Sequence, residues 1–247
     1  MITRFIRQAA LTAAYIREYL FPMGCPICGG ELLDRDEAWI GLCGPCRTGL
    51  VIDDERRCSS CGRPLISEQG ACMQCRGQEE SGAQGAHIFD GAFSVFPYAG
   101  KYRKLLRSYK FGKNLPLGNF LAERIVEALG RLSPDAREGV PVPVPPRPGK
   151  IRKTGWDQVA YLGGRLAKLG ERSQSCLKRL PSKSQKELDK ANRKTNLMGR
   201  IICVKPPPKV AILFDDVITT GATLDACAAA LKNAGAEKVY GVCLFYD

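Results

Sequence analysis

The sequence predicts an α/β fold in which a parallel sheet is flanked by helices, with a small cysteine-rich domain in front of it. The sheet is indicated by Val210–Phe214, an apolar run between a proline cluster and two acids, because a strand buried on both faces of a parallel sheet has this composition. The small domain is indicated by eight of the twelve cysteines, which fall in four Cys-x-x-Cys pairs. We therefore expect an amphipathic helix over residues 1–22, a double ribbon over residues 23–78 and an α/β domain over residues 86–247.

Residues 1–22 place apolar side chains at helical spacing and do not have the features of a secretory signal. Arg17 and Glu18 soon follow Arg4 and Arg7, and no small-residue cleavage site is evident. No apolar run in the chain approaches the roughly 20 residues needed to span a membrane. We expect a cytoplasmic protein whose first helix packs on the rest of the chain, with a membrane-surface helix as the alternative. The apolar positions are Phe5, Ile6, Ala9, Ala13, Ile16 and Leu20.

The four cysteine pairs have the spacing of zinc ribbons. Each pair brings two thiolates within reach of one metal ion, and two pairs complete a tetrahedron. Sequential pairing is the simplest arrangement, although spacing alone leaves a cross-brace open; disulfides are disfavoured in a chain expected to be cytoplasmic. Because neither set offers an open position or a nearby histidine or carboxylate, we expect two structural zinc ions. The predicted ligands are Cys25, Cys28, Cys43, Cys46, Cys58, Cys61, Cys72 and Cys75.

The positive charge is concentrated in the second part of the chain. The net charge is +12, and residues 1–85 hold 9 basic and 11 acidic side chains against 28 and 14 in residues 86–247. Residues 147–205 alone hold 16 basic and 4 acidic side chains. This block fits an anionic partner, either phosphates or nucleic acid, and the alternative is a solvated basic face.

The remaining pattern alternates strands with helices. His87–Tyr98 is expected to be a strand, with the first arm of a hairpin as one option. The prolines at 141 and 143 predict a strand that does not have normal ladders on both sides. Amphipathic spacing predicts helices from 101 to 114, from 115 to 132 and from 157 to 169, and further strands are expected at 139–144, 175–180, 200–205 and 238–246.

The strand at Val210–Phe214 leads into a candidate anion site. Asp215 and Asp216 stand at its predicted carboxyl end, Thr219–Thr223 follow, and a helical run then ends at Gly235. Small residues at a helix start let N–H groups and hydroxyls close around a phosphate, and adjacent carboxylates accept hydrogen bonds from a polyol. The sequence therefore predicts a site for a ribose 5-phosphate.

This stretch resembles the signature of type I phosphoribosyltransferases, which bind 5-phosphoribosyl 1-diphosphate (PRPP) together with Mg²⁺. The resemblance implies that Asp215 and Asp216 bind the ribose hydroxyls. It also implies a 5-phosphate loop made of Thr219, Thr220, Gly221, Ala222 and Thr223. Candidate ligands for diphosphate or nucleic acid are Arg147, Arg152 and Lys153 after the first core strand, and Lys183, Gln185 and Arg193 in the position of the family's mobile catalytic loop.

Over almost its whole length the chain resembles the ComF/GntX family, in which an N-terminal helix and Cys-x-x-Cys ribbons precede a phosphoribosyltransferase-like domain. Other family-like pieces are Val142-Pro143, Thr154–Gln158, Ser184-Gln185, Leu188, Arg193 and Asn196. Where the family has Arg-Gly-Phe-Asn-Gln this chain has Thr-Gly-Trp-Asp-Gln, so Arg152 or Lys153 would have to supply the charge. Membership implies a role in natural competence, with single-stranded DNA, a competence helicase and DNA-processing proteins as partners.

Three functions are compatible with these patterns. The first is a PRPP-binding competence protein that handles single-stranded DNA through basic and aromatic side chains. The second is an active phosphoribosyltransferase that transfers ribose 5-phosphate to an unidentified acceptor with Mg²⁺. The third is a regulatory module that senses PRPP without chemistry.

Overall fold

The computed structural model describes residues 24–32, 34–52, 56–79, 87–181 and 199–247. Contacts between Cα atoms divide the chain into two compact units. The first unit contains the described residues up to Val51 together with Lys104–Phe120, and the second contains Ile52–Arg103 and Leu121–Asp247. The predicted N-terminal helix lies outside the described residues, and the predicted domain boundaries stay a prediction.

A four-stranded parallel sheet forms the centre of the second unit. The strand bounds are β1 Gly91–Pro97, β2 Val140–Pro143, β5 Val210–Ile218 and β6 Lys238–Tyr246. The strand order is β1-β6-β5-β2, and each neighbouring pair is parallel. The prediction that β1 starts a hairpin is therefore wrong, because β1 pairs with β6, the last strand of the chain. Strand β6 lies inside the sheet, between β1 and β5.

Strand β5 continues beyond the apolar run that predicted it. Asp215, Val217 and Ile218 have register partners on β6, so the two acids lie within the ladder and not after it. The local sequence could not show this extension, because it depends on the length of β6 as the partner strand. The loop predicted to bind phosphate, Thr219–Thr223, consequently begins directly after the last paired residue of β5.

Strand β2 is an edge strand whose prolines occupy alternate positions. Val144 donates its N–H to Phe214 of β5, which places the even-numbered residues toward the ladder. The backbone groups of Pro141 and Pro143 therefore face the outer side of the strand, where the missing N–H of proline removes no ladder hydrogen bond. The prediction of a strand paired on one side is confirmed.

Two short strands, β3 (Leu177–Arg179) and β4 (Ile201–Cys203), form a separate antiparallel pair. They were expected as strands, and the structure places them outside the central sheet. Residues 182–198, which connect them in sequence, lie outside the described residues.

Two helices cover opposite faces of β5. Gly163 of helix α8 (Gln158–Lys168) lies against Phe214, whereas Cys227 of helix α9 (Ala222–Asn233) belongs to the same buried cluster as Leu213. Neighbouring strand residues point to opposite faces, which agrees with this placement. No helix in the described part of the chain is long and apolar enough to cross a membrane. The helix bounds are α1 Arg35–Ile40, α2 Gly44–Thr48, α3 Met73–Glu79, α4 Gly100–Lys110, α5 Leu117–Gly130, α6 Pro134–Arg137, α7 Lys150–Thr154, α8 Gln158–Lys168 and α9 Ala222–Asn233.

The second cysteine ribbon packs on the β1 edge of the sheet. Ser94 donates its N–H to Gly62 O at 3.4 Å and its Oγ hydrogen to Cys61 O at 2.9 Å. Arg57 Nη1 donates to Ser94 O at 2.7 Å, and its guanidinium lies 4.1 Å from the centre of the Phe93 ring. This ribbon is therefore part of the same compact unit as the sheet, and its sulfurs belong to the same buried cluster as residues of β2, β5 and β6.

Candidate functional site

The two carboxylates of the acid pair, Asp215 and Asp216, are held by different contacts. Asp216 is 6% exposed, and its Oδ2 accepts a hydrogen bond from Gln158 Nε2 at 2.7 Å. Gln158 is the first residue of α8 and is itself buried. A buried carboxylate is stable only when its oxygens have hydrogen-bond donors, so Gln158 fixes the orientation of Asp216.

Lys150 extends this network into the loop after β2. Its Nζ lies 2.7 Å from Asp157 Oδ2 and also donates to Gln158 Oε1. The other oxygen of Asp157 accepts the N–H groups of Val159 and Ala160 and so caps α8. One cation therefore connects the start of α8 with the loop predicted to receive diphosphate. In the sequence, Lys150 is one of the charges of the basic stretch 147–205, and its partners are not evident there.

Asp215 points to the other face of the sheet, because it is the neighbour of Asp216 in a strand. Its Oδ1 accepts the N–H of Asp216 at 2.7 Å, and it is half-buried. Burial lowers the pKa of Arg179, as does the nearby Arg147 charge, while the Asp215 carboxylate acts in the opposite direction. Arg179 of β3 thus lies close enough to Asp215 for their charges to interact. Sequence reasoning missed Arg179, because β3 gives no local sign that it lies near Asp215.

The predicted phosphate loop, Thr219–Thr223, runs from the end of β5 into the first turn of α9. Thr219 and Thr220 are exposed, and Gly221 is the N-cap residue of α9 with φ of 77°, a backbone conformation that suits glycine. No side chain caps this helix end, and the weak bond from Ala222 N to Thr220 Oγ1 is 3.4 Å long. The N–H groups at the start of this 12-residue helix therefore have no strong side-chain cap, and exposed hydroxyls lie next to them. This geometry is favourable for binding an anion.

A basic cavity of about 660 Å³ lies next to this network. Residues 145–152 form one wall and residues 177–181 form the other. Four cationic side chains take part in the lining, namely Arg147, Arg152, Lys178 and Arg179. The structure therefore brings two of the predicted diphosphate candidates, Arg147 and Arg152, together with two cations that were not singled out.

The other predicted candidates are not brought to this cavity. Lys153 is exposed and does not line it. Thr154, at the position of the family arginine, has its Oγ1 2.9 Å from the carbonyl oxygens of both Lys150 and Trp156 and so stabilises the end of its own helix. Lys183, Gln185 and Arg193 lie outside the described residues.

Two four-cysteine clusters have the geometry of metal centres. Within each cluster the sulfurs lie within 4.8 Å of one another. Cys28 Sγ is 3.7 Å from Cys43 Sγ, and Cys61 Sγ is 3.8 Å from Cys72 Sγ. A tetrahedral zinc ion with bonds of about 2.3 Å requires sulfurs about 3.8 Å apart, so both clusters fit structural zinc. The first metal centre is Cys25, Cys28, Cys43 and Cys46, the second is Cys58, Cys61, Cys72 and Cys75, and the pairing is sequential.

Both centres are built from the same local pattern. A turn that starts at Cys25 or at Cys58 supplies the first two sulfurs, and it passes through a glycine of positive φ, Gly29 or Gly62. The second two sulfurs come from the start of a short helix, α2 or α3. In the second centre, the hydrogen bond with Cys61 lowers the pKa of the Cys58 thiol. Negative charge is therefore already favoured at one sulfur, as cation binding requires.

The expectation that no histidine lies near a metal centre is wrong. His87 Nε2 is 3.6 Å from Cys75 Sγ, and His87 Nδ1 is 3.0 Å from Asp225 Oδ2. Its side chain is only 3% exposed and stacks on Phe89 with ring centres 4.3 Å apart. The sequence could not reveal this arrangement, because a lone histidine has no recognisable local partner and Asp225 follows it by 138 residues.

Comparisons with known proteins agree with this organisation. Residues 16–76 match the family described as a double zinc ribbon domain. The chain is 24% identical over 229 residues to the competence protein ComFC of Streptococcus pneumoniae, covering 88% of this chain and 97% of that protein.

A solved structure of hypoxanthine phosphoribosyl transferase from Trypanosoma cruzi is similar to 53% of this chain, at 12% identity and a TM-score of 0.31. The match spans 63% of the trypanosomal chain. The fold assignment rests on this chain's own parallel sheet and cysteine clusters, which confirm the predicted mixed α/β fold preceded by zinc ribbons. The ribbon match and the ComFC relative support the resemblance of this chain to ComF-like proteins.

Proposed function

We propose that the chain binds PRPP with Mg²⁺ at the carboxyl end of β5 and acts on single-stranded DNA in natural competence. The observation that carries PRPP binding is the buried Gln158–Asp216 hydrogen bond beside the phosphate loop. It holds a carboxylate in a fixed orientation where a ribose would meet it, next to N–H groups that suit its 5-phosphate.

The basic cavity supports the other end of the ligand. Arg147, Arg152 and Arg179 offer guanidinium groups, which bind phosphate oxygens in pairs. Mg²⁺ accompanies the diphosphate in this proposal, because it prefers phosphate and carboxylate oxygens and neutralises their charge.

PRPP binding is tested by thermal unfolding with and without PRPP–Mg²⁺. Wild type is expected to be stabilised in a concentration-dependent way, since a ligand that binds only the folded state raises its stability. Asp215→Asn and Asp216→Asn are expected to lose the shift, and Asp135→Asn, an exposed acid in α6, is the matched control that keeps it. An equal response of wild type and both variants would contradict the proposal.

The role with DNA is supported by the competence relative and by the basic segment around the cavity. Single-stranded DNA binding is expected to weaken steeply as salt rises. Arg152→Ala is expected to reduce the salt slope by about 0.7, the value for one phosphate contact on a single strand. Arg172→Ala, an exposed arginine outside the cavity lining, is the control. Equal slopes for both variants would contradict a DNA surface at this cavity. A competence helicase and DNA-processing proteins are the partners that this role implies.

An active phosphoribosyltransferase is the second candidate function. It is favoured by the basic cavity, where Arg179 interacts electrostatically with both Asp215 and Arg147, and where Arg147 and Arg152 would hold departing diphosphate. Diphosphate release from PRPP that requires an added nucleophile supports this function. Binding of PRPP without release supports a sensor.

A further inference from the structure

The second metal centre and the phosphate loop are connected through one buried histidine. His87 stands between Cys75 Sγ at 3.6 Å and Asp225 Oδ2 at 3.0 Å. Asp225 belongs to the first turn of α9, the helix whose start forms the end of the phosphate loop. The His87 Nδ1–Asp225 Oδ2 distance is that of a hydrogen bond.

The histidine ring also lies directly under the phosphate loop. A Cβ atom placed on Gly221 would come within 2.5 Å of His87 Cε1 and 2.9 Å of Nδ1. The positive φ of Gly221 and the imidazole surface thus fix the same turn from two sides. If the ring moved, the Gly221 backbone would lose the surface on which it rests.

Asp225 joins these elements through the backbone. Its Oδ1 accepts the N–H of Ile88 at 2.7 Å, and its own N–H donates to Gly221 O at 2.9 Å. The acid therefore holds the His87 segment with its side chain and the phosphate loop with its main chain. A negative charge in the first turn of a helix opposes the binding of an anion there. The Asp225 carboxylate is directed at His87 and at the Ile88 N–H.

Arg63 of the second ribbon makes an independent contact with the same loop. Its Nη2 lies 3.4 Å from Thr219 O, 3.1 Å from Asp247 O and 3.0 Å from Gln74 Oε1. The bond to Thr219 is long and therefore weak, but it comes from the residue two positions after the ligand Cys61.

We propose that the second metal centre is a positioning element of the phosphate loop, and that His87 is the residue through which it acts. Metal binding fixes the position of Cys75. The imidazole of His87 is then held between Cys75 and Asp225, and it supports the Gly221 turn that receives the 5-phosphate. The inference rests on the proposed PRPP site. It assigns to this zinc ion a role beyond stabilising its own ribbon.

Hydrogen exchange, ligand affinity and metal content together test the proposal with His87→Ala. Amide exchange in residues 219–223 is expected to accelerate about tenfold while exchange in β6 stays at the wild-type rate. The dissociation constant for PRPP–Mg²⁺, measured by calorimetry, is expected to rise about tenfold, with the zinc content unchanged. Arg76→Ala, an exposed arginine of the same ribbon, is the control and is expected to change none of these quantities.

Wild-type exchange in the loop of His87→Ala, or wild-type affinity for PRPP, would overturn the proposal. Faster exchange throughout the unit would also overturn it, since that result indicates general destabilisation. If wild type itself does not bind PRPP, the proposed function fails, and the exchange data still decide whether the metal centre holds the turn.

A second measurement needs no variant and so decides the matter if His87→Ala does not fold. Because coupling between the binding free energies of two sites is reciprocal, PRPP is expected to raise the affinity for one of the two zinc ions, measured by equilibrium competition with a chelator. Equal zinc affinities with and without saturating PRPP would overturn the proposal.

Discussion

Gln158 Nε2 and Asp216 Oδ2 form a 2.7 Å hydrogen bond between two buried side chains, one at the start of α8 and the other inside β5. This bond joins the helix that follows the basic loop to the strand that precedes the phosphate loop. It thereby connects the two predicted halves of a PRPP site.

Gln158→Ala is expected to weaken PRPP–Mg²⁺ binding about tenfold and to lower the free energy of unfolding by about 1–3 kcal/mol, because Asp216 would stay buried and lose the hydrogen bond from Gln158 Nε2. Calorimetry and denaturant unfolding measure the two effects. Gln174→Ala is the matched control, since Gln174 Nε2 donates to the Pro206 carbonyl and not to the acid pair. Similar losses in both variants would contradict a specific role for Gln158.

Gly62→Ala is expected to disrupt the second unit far more than Gly70→Ala. Both glycines have positive φ, 69° and 71°. A Cβ atom on Gly62 would lie 2.0 Å from Ala92 O in β1, whereas nothing lies within 4 Å of one on Gly70. The backbone conformation alone accounts for about 1 kcal/mol in each variant, so any excess for Gly62 reports the packing of the ribbon on the sheet. Equal unfolding midpoints would contradict that packing.

Loss of the two metal centres is expected to have unequal effects. Cys28 is exposed, whereas Cys58 is 3% exposed and belongs to the core cluster of the sheet. Each alanine variant should reduce the zinc content from two ions per chain to one. Cys58→Ala should in addition lower the unfolding temperature of the second unit, because that metal centre lies in its core. Metal analysis and thermal unfolding check this pair, and an equal thermal effect would count against it.

The four cysteines outside the ribbons are expected to react in a fixed order with a thiol reagent. Cys203 is partly exposed, and it should be alkylated first in the zinc-loaded protein. Burial, with the neighbouring Cys203, raises the pKa of Cys176 to about 11, and burial raises the pKa values of Cys227 and Cys243. A raised pKa leaves less of the reactive thiolate at pH 8, so these three should react only after unfolding. Mass spectrometry after timed labelling reads the order, and early labelling of Cys227 would contradict it.

Much of the fold could be predicted because its signals are local. The apolar run at Val210–Phe214, the alternating prolines of β2 and the N-cap at Asp157 each depend on a few adjacent residues. The pairing of the cysteines could not be settled by spacing, since a cross-brace satisfies the same intervals.

The interactions that sequence reasoning missed are those between distant segments. Asp225 is an ordinary helix residue until His87 is placed beside it, and Arg179 belongs to a three-residue strand that becomes relevant only beside Asp215. Lys150 was visible as charge, but its partners Asp157 and Gln158 depend on how the chain turns at Gly155. At the end of β5, sequence reasoning therefore missed the contacts that hold the acid pair and the predicted phosphate loop in place.

The outward prolines of β2 limit how copies of this chain can associate. A foreign strand that approached this edge would meet no N–H at 141 or 143, and the Pro141 carbonyl is already bonded to Gln174 N. Unprotected sheet margins promote intermolecular strand addition and fibrous aggregation. Here the two prolines disfavour strand addition at the β2 edge, so folded chains are not expected to aggregate by extending the sheet on this side.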